Sequence, residues 1–122
     1  MILLAAVMVA APHVFISHAR VDRERAIVIH EKLRKAGCQV WRDDSIRPGQ
    51  HWAYEVEEAI DRADIVLFLV GTKCNTCRSE LHRALRRGKR VVPVLLSPDV
   101  DIPLLVEQFQ RIEEDTVTEL CK

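Results

Sequence analysis

The sequence predicts a doubly wound α/β domain, with five parallel strands in the order 2-1-3-4-5 and helices on both faces of the sheet. Three observations predict it. Apolar runs of strand length at 14–16, 65–70 and 91–96 alternate with segments whose apolar residues fall three and four apart. The run at 65–70, Ile-Val-Leu-Phe-Leu-Val, contains no polar residue, as a strand covered on both faces should. A chain of 122 residues, 48% hydrophobic, suffices for one core and is short for two. Alternating strands and helices imply right-handed crossovers, and such sheets take their ligands at the C-terminal edge of the strands.

Residues 1–12 read as an apolar extension of a domain occupying 13–122. The stretch carries no Lys or Arg, and strand-like sequence begins directly after Pro12. It is also shorter than the roughly 20 residues that cross a bilayer. A targeting segment is the alternative. The first strand stops at Ser17 and His18. Asp22 stands as the N-cap of a first helix in which Ala26, Ile29 and Leu33 share one face, and Gly37 ends it after Lys32, Arg34 and Lys35. A second strand covers 39–42, and the Pro48-Gly49 pair breaks regular structure in the loop that follows. Trp52, Val56 and Ile60, four apart, form the apolar stripe of a second helix. The third strand at 65–70 leads to a third helix over 77–87, burying Leu81, Ala84 and Leu85 and ending at Gly88. Pro93 interrupts the donors of the fourth strand at 91–96, so it should face the more weakly paired side. Beyond Ser97, a short helix at 104–106, a fifth edge strand at 109–112 and a stub of a truncated final helix at 116–121 are expected.

Eighteen basic and 18 acidic residues leave no net charge, so no field draws nucleic acid or an anionic membrane to the chain. Cys38, Cys74, Cys77 and Cys121 are too few and too irregularly spaced for a secreted disulfide framework, which favours a reducing compartment. Cys74-Asn75-Thr76-Cys77 is a lone C-x-x-C; zinc would require a second pair of ligands, and two ordinary cysteines are the simpler reading. Asp43 and Asp44 invite a metal or phospho-acceptor reading, but such a cluster needs acids at the end of the first strand, where Ser17 and His18 stand. No metal is expected. The basic run Arg83, Arg86, Arg87, Lys89 and Arg90 complements the dipole at the end of the third helix.

The loops after the first, second and third strands carry Phe15-Ile16-Ser17-His18, then Asp43-Asp44-Ser45-Ile46-Arg47-Pro48-Gly49, then residues 72–80. With Val92-Pro93-Val94-Leu95, these pieces resemble, in order, the opening box, the BB loop, the third-helix glutamate segment and the fourth strand of TIR domains, the Toll and interleukin receptor module. The similarity, to the bacterial type, runs over about residues 13–113 and implies a flavodoxin-like fold and a cytoplasmic location.

Many bacterial TIR domains cleave NAD at the nicotinamide ribose bond, and the resemblance assigns the catalytic carboxylate to Glu80. It assigns substrate contacts to Ser17, His18, Arg20, Asp43, Arg47, Gly49, Trp52 and Thr72. NAD is then a substrate, and no cofactor is implied. One carboxylate can stabilise an oxocarbenium-like state, and because nicotinamide leaves from a cationic ring no second acid is required to protonate it. Without the resemblance, Glu80 is an exposed acid in the first turn of a helix, His18 caps a strand end, and Arg20 and Arg47 are solvated charges. Trp52 then belongs to the stripe with Val56 and Ile60. Two positions depart from the NAD-cleaving pattern: Thr72 replaces a serine after the third strand, and Thr76 replaces a tryptophan four residues before the glutamate. A domain of this size offers an open cleft, so other TIR domains are the implied partners, completing the site on assembly in bacterial defence or signalling. The alternative is a non-catalytic adaptor acting by TIR–TIR association through the BB loop. No sensor segment is recognisable, and the chain reads as a piece of a larger protein.

Overall fold

The computed structural model describes residues 11–42, 52–71, 77–97 and 109–121, with the backbone alone described at 52, 53 and 77–79. Strand β1 (His13–Ser17) leads through a 3-10 turn (Arg20–Asp22) into helix α1 (Arg23–Lys35). Then come β2 (Gln39–Arg42), α2 (Trp52–Arg62), β3 (Ile65–Val70), α3 (Cys77–Arg86), β4 (Arg90–Leu95), β5 (Ile112–Glu113) and a C-terminal 3-10 helix (Glu114–Cys121). The strands form one sheet in the order β2-β1-β3-β4-β5, and every pairing is parallel. This is the doubly wound order expected from the alternation of strand and helix.

Strand periodicity of two divides the core into two layers. Phe15, Val66 and Phe68 pack with Val56 and Ile60 of α2 and with Leu81 and Ala84 of α3. Val14, Ile16, Leu67 and Leu69 pack on the other face with Ala26, Ile29 and Leu33 of α1 and Val117 of the last helix. All six residues of β3 are buried, because helices cover both of its faces. The first helix closes as its sequence suggests: the Cys38 amide donates to the Leu33 carbonyl at 3.0 Å, and Gly37 takes φ 103°, a left-handed conformation that costs glycine little.

Pro93 is buried within β4 and pairs in register with Phe68. The Leu96 amide donates to Val70 of β3 at 3.2 Å, and successive amides point to opposite sides, so position 93 opens toward β5. There β5 engages only Val94 and Leu95, so the missing N–H falls where no ladder bond is required.

Three expectations change. The fifth strand is Ile112–Glu113 rather than 109–112, because only two residues reach the register of β4. The final segment is a 3-10 helix over Glu114–Cys121. The basic run stands in and after the last turn of α3 as expected, and it also finds partners on α2: Arg83 bonds Asp61 at 2.8 Å, Arg87 reaches it at 3.3 Å, and Lys89 Nζ donates to the Asp61 carbonyl at 2.6 Å. Most consequentially, Cys38 and Cys121 form a disulfide across 83 residues, against the expectation of reduced cysteines. The last helix folds back onto the α1 face, anchored by Val117 and by Arg25–Glu114 at 2.6 Å, and this brings Cys121 to the start of β2. The expected helix at 104–106, the loop at 43–50 and Cys74 lie outside the described residues. No helix among the described residues is long and apolar enough to cross a membrane.

Candidate functional site

In this strand order β1 and β3 are neighbours, but the helix that follows β1 and the helix that follows β3 lie on opposite faces. At such a switch point doubly wound sheets bind ligands in a crevice outside the C-terminal ends of the strands. Ser17 is the last residue of β1 and shares the face of Phe15, toward α2 and α3. Glu80, in the first turn of α3, comes in from that face. Ser17 Oγ donates to Glu80 Oε1 at 2.6 Å, with the two residues 0% and 4% exposed. The separation is typical of a hydroxyl bonded to an ionised carboxylate.

Glu80 is therefore not the exposed first-turn acid that local sequence suggests. Leu81 and Ala84, buried against the sheet, fix the rotation of α3, and Glu80 consequently turns inward above the end of β1. The helix N-terminus and the Ser17 hydroxyl both favour negative charge at this position, which offsets part of the cost of burying it.

His18 is 4% exposed, and its Nδ1–H donates to the Ala19 carbonyl at 2.8 Å. Since a carbonyl only accepts, this bond places a proton on Nδ1 and holds the ring at the strand end. Arg20 is exposed in the 3-10 turn beside the same edge. Trp52 opens α2, its side chain outside the description. Asp43, Arg47, Gly49 and Thr72 lie outside the described residues.

One group at this edge escaped the sequence reading. Asp22 holds the N-cap position of α1, as expected, but its side chain makes no capping hydrogen bond. Its Oδ2 is buried without a hydrogen-bond partner among the described residues. A β-carbon built on Gly71, just beyond β3, would lie 2.7 Å from Asp22 Cγ and 2.8 Å from Oδ1. The carboxylate thus fills the space where a side chain at 71 would begin, so a larger residue there would have to push the Asp22 side chain aside.

Two cavities among the described residues lie at the other end of the sheet. One of about 160 Å³ is lined by His13, Gln39, Trp41 and Arg62, and one of about 590 Å³ by Arg90, Phe109 and Glu119 among others. Neither borders Ser17 or Glu80. The buried carboxylate, rather than either of these two voids, marks the candidate site.

A small doubly wound α/β domain with an acid at its switch-point edge is what fold and site define. The chain belongs to the TIR domain family, whose model matches residues 14–119. Among solved structures it is similar to the TIR domain of a Toll-related receptor from the lower metazoan Hydra magnipapillata, at 23% identity and TM-score 0.73 over 86% of this chain and 88% of that one. It is also similar to a CMP N-glycosidase of Clostridium botulinum, at 16% identity and TM-score 0.66 over 88% and 94%. A 2-deoxyribosyltransferase from Bacillus psychrosaccharolyticus gives 16% identity and TM-score 0.67 over 88% of each chain. No curated protein matches the sequence. At these identities the structural likeness establishes the fold, and function has to be argued from the site.

Proposed function

We propose that this TIR domain cleaves NAD at the nicotinamide ribose bond, as a glycohydrolase or cyclase, with Glu80 as the catalytic carboxylate. The observation that carries the reading is the buried Ser17–Glu80 hydrogen bond at the switch-point edge. A carboxylate removed from bulk water and oriented by a fixed donor stabilises a developing oxocarbenium ion more strongly than a solvated one. The neutral nicotinamide leaves as the positive charge passes from its ring to the ribose, and water or an internal nucleophile then takes the anomeric carbon. Arg20 is the nearby cation for the diphosphate, and His18 shapes the floor beside it. By the family resemblance, Asp43, Arg47, Gly49 and Thr72, with Trp52 at the start of α2, complete the proposed set. Two proteins that share the fold are a CMP N-glycosidase and a 2-deoxyribosyltransferase, which is consistent with sugar–base chemistry at this edge. The open edge favours a site completed by a second copy.

Thr72 and Thr76, where NAD-cleaving relatives carry serine and tryptophan, favour a second reading, an adaptor acting by TIR–TIR association. One experiment separates the two. Concentrated or bead-clustered protein is incubated with NAD while free nicotinamide is followed: release supports the enzyme, and its absence under clustering supports the adaptor.

A further inference from the structure

The crevice at the switch point has two sides. Glu80 approaches it from the α3 face, bonded to Ser17 at the end of β1. Asp22 approaches from the other side: it caps α1, which packs on the face of Leu69, and Gly71 has the same strand parity as Leu69. The Asp22 carboxylate is held over Gly71 without a capping bond, with one oxygen buried and no donor to it among the described residues. Two acids therefore flank the end of β3 from opposite faces, one oriented by a serine and one with an unmet demand for a donor.

We propose that Asp22 is a second ligand-binding residue of this edge, accepting hydrogen bonds from the hydroxyl groups of a ribose bound beside Glu80. The assignment rests on the NAD-cleaving reading of the site. A carboxylate only accepts, and it repels the diphosphate, so the part of a dinucleotide that suits it is the vicinal diol of a ribose, which presents two adjacent O–H donors. Acids at the C-terminal edge of doubly wound sheets bind ribose hydroxyls in this way. Asp22 is a positioning residue: it fixes the sugar while Glu80 acts on the anomeric carbon. The constraint at Gly71 follows, since a side chain there would displace the carboxylate.

The test compares Asp22→Asn with the wild type, on the full chain under clustering, for NAD affinity, KM, kcat and thermal unfolding. Asparagine keeps the shape and the N-cap preference of aspartate, so the helix start is preserved. The expected result is a KM and Kd for NAD raised about ten- to a hundredfold, the factor carried by charge-assisted hydrogen bonds, with a smaller change in kcat and no loss of unfolding temperature. Gly71→Ala should raise KM in the same way with Asp22 intact. If the wild type binds NAD and Asp22→Asn binds it within about twofold as well, the assignment is overturned while the NAD reading stands. Affinity lost only in step with unfolding temperature would likewise overturn it and make Asp22 a scaffold residue. A wild type that neither binds nor cleaves NAD would overturn both.

Discussion

Glu80 shows how one side chain's setting determines what its substitution tests. Its carboxylate is buried and bonded to Ser17, so truncation to alanine leaves the Ser17 hydroxyl without its acceptor and should cost about 1–3 kcal/mol of stability. Glutamine keeps an acceptor oxygen for Ser17 and loses the charge. Glu80→Gln should therefore stay folded by thermal unfolding while nicotinamide release falls about 100- to 1,000-fold, the usual loss on removing a preorganised electrostatic stabiliser. Undiminished release by a folded Glu80→Gln protein would remove this carboxylate from the mechanism. Local sequence placed Glu80 in the first turn of its helix but could not show that it faces inward, because Ser17 lies 63 positions away in the chain.

Between elements, the contact of α2 with α3 is tied by charge as well as by apolar packing. Arg83 hydrogen-bonds Asp61, and with Arg87 and Lys89 nearby it holds the Asp61 carboxyl below its usual range. A carboxylate whose pKa is lowered on folding stabilises the native state above its unfolded pKa, about 3.9, and loses that contribution as pH falls through the folded value. Because the Asp61 side chain is 38% exposed, solvent screening limits the pair to about 1 kcal/mol or less. Asp61→Asn should accordingly be less stable than the wild type at neutral pH. The gap should close in strong acid and shrink in high salt, as denaturant melts at several pH values would read; a gap that persists in acid would point to packing instead. The basic run was legible in the sequence, but its acidic partner was not, since Asp61 belongs to a different helix.

At the scale of the whole molecule, the Cys38–Cys121 bond closes a loop spanning 83 residues and fastens the last helix to the sheet. Constraint of the unfolded chain over such a span contributes about 4–5 kcal/mol in the chain-entropy limit. A dithiol reductant should then lower the unfolding temperature by about 10–20 °C. Cys38→Ser should start at that lower value and lose its response to reductant; equal melting with and without reductant would show that the bond does not bear on stability. Assembly belongs to the same scale. If a second copy completes the open edge, NAD cleavage should rise faster than linearly with protein concentration, and full activity in a demonstrably monomeric sample would defeat that idea.

The sequence by itself determined the first four strands, the three helices between them and the sheet order that their alternation implies. These follow from burial patterns within single segments: the unbroken apolar run of β3, the one-face spacing of Ala26, Ile29 and Leu33, and glycines at 37 and 88 where helices stop. Only the tertiary structure decided that Ser17 meets Glu80, that Asp22 rests on Gly71, that Cys38 joins Cys121, and that the last strand is two residues long. Each is a contact between groups distant along the chain, or, for β5, a register set by its neighbour. Local propensity and periodicity report which face of an element is buried, whereas the partner it is buried against is determined by how the layers close on one another.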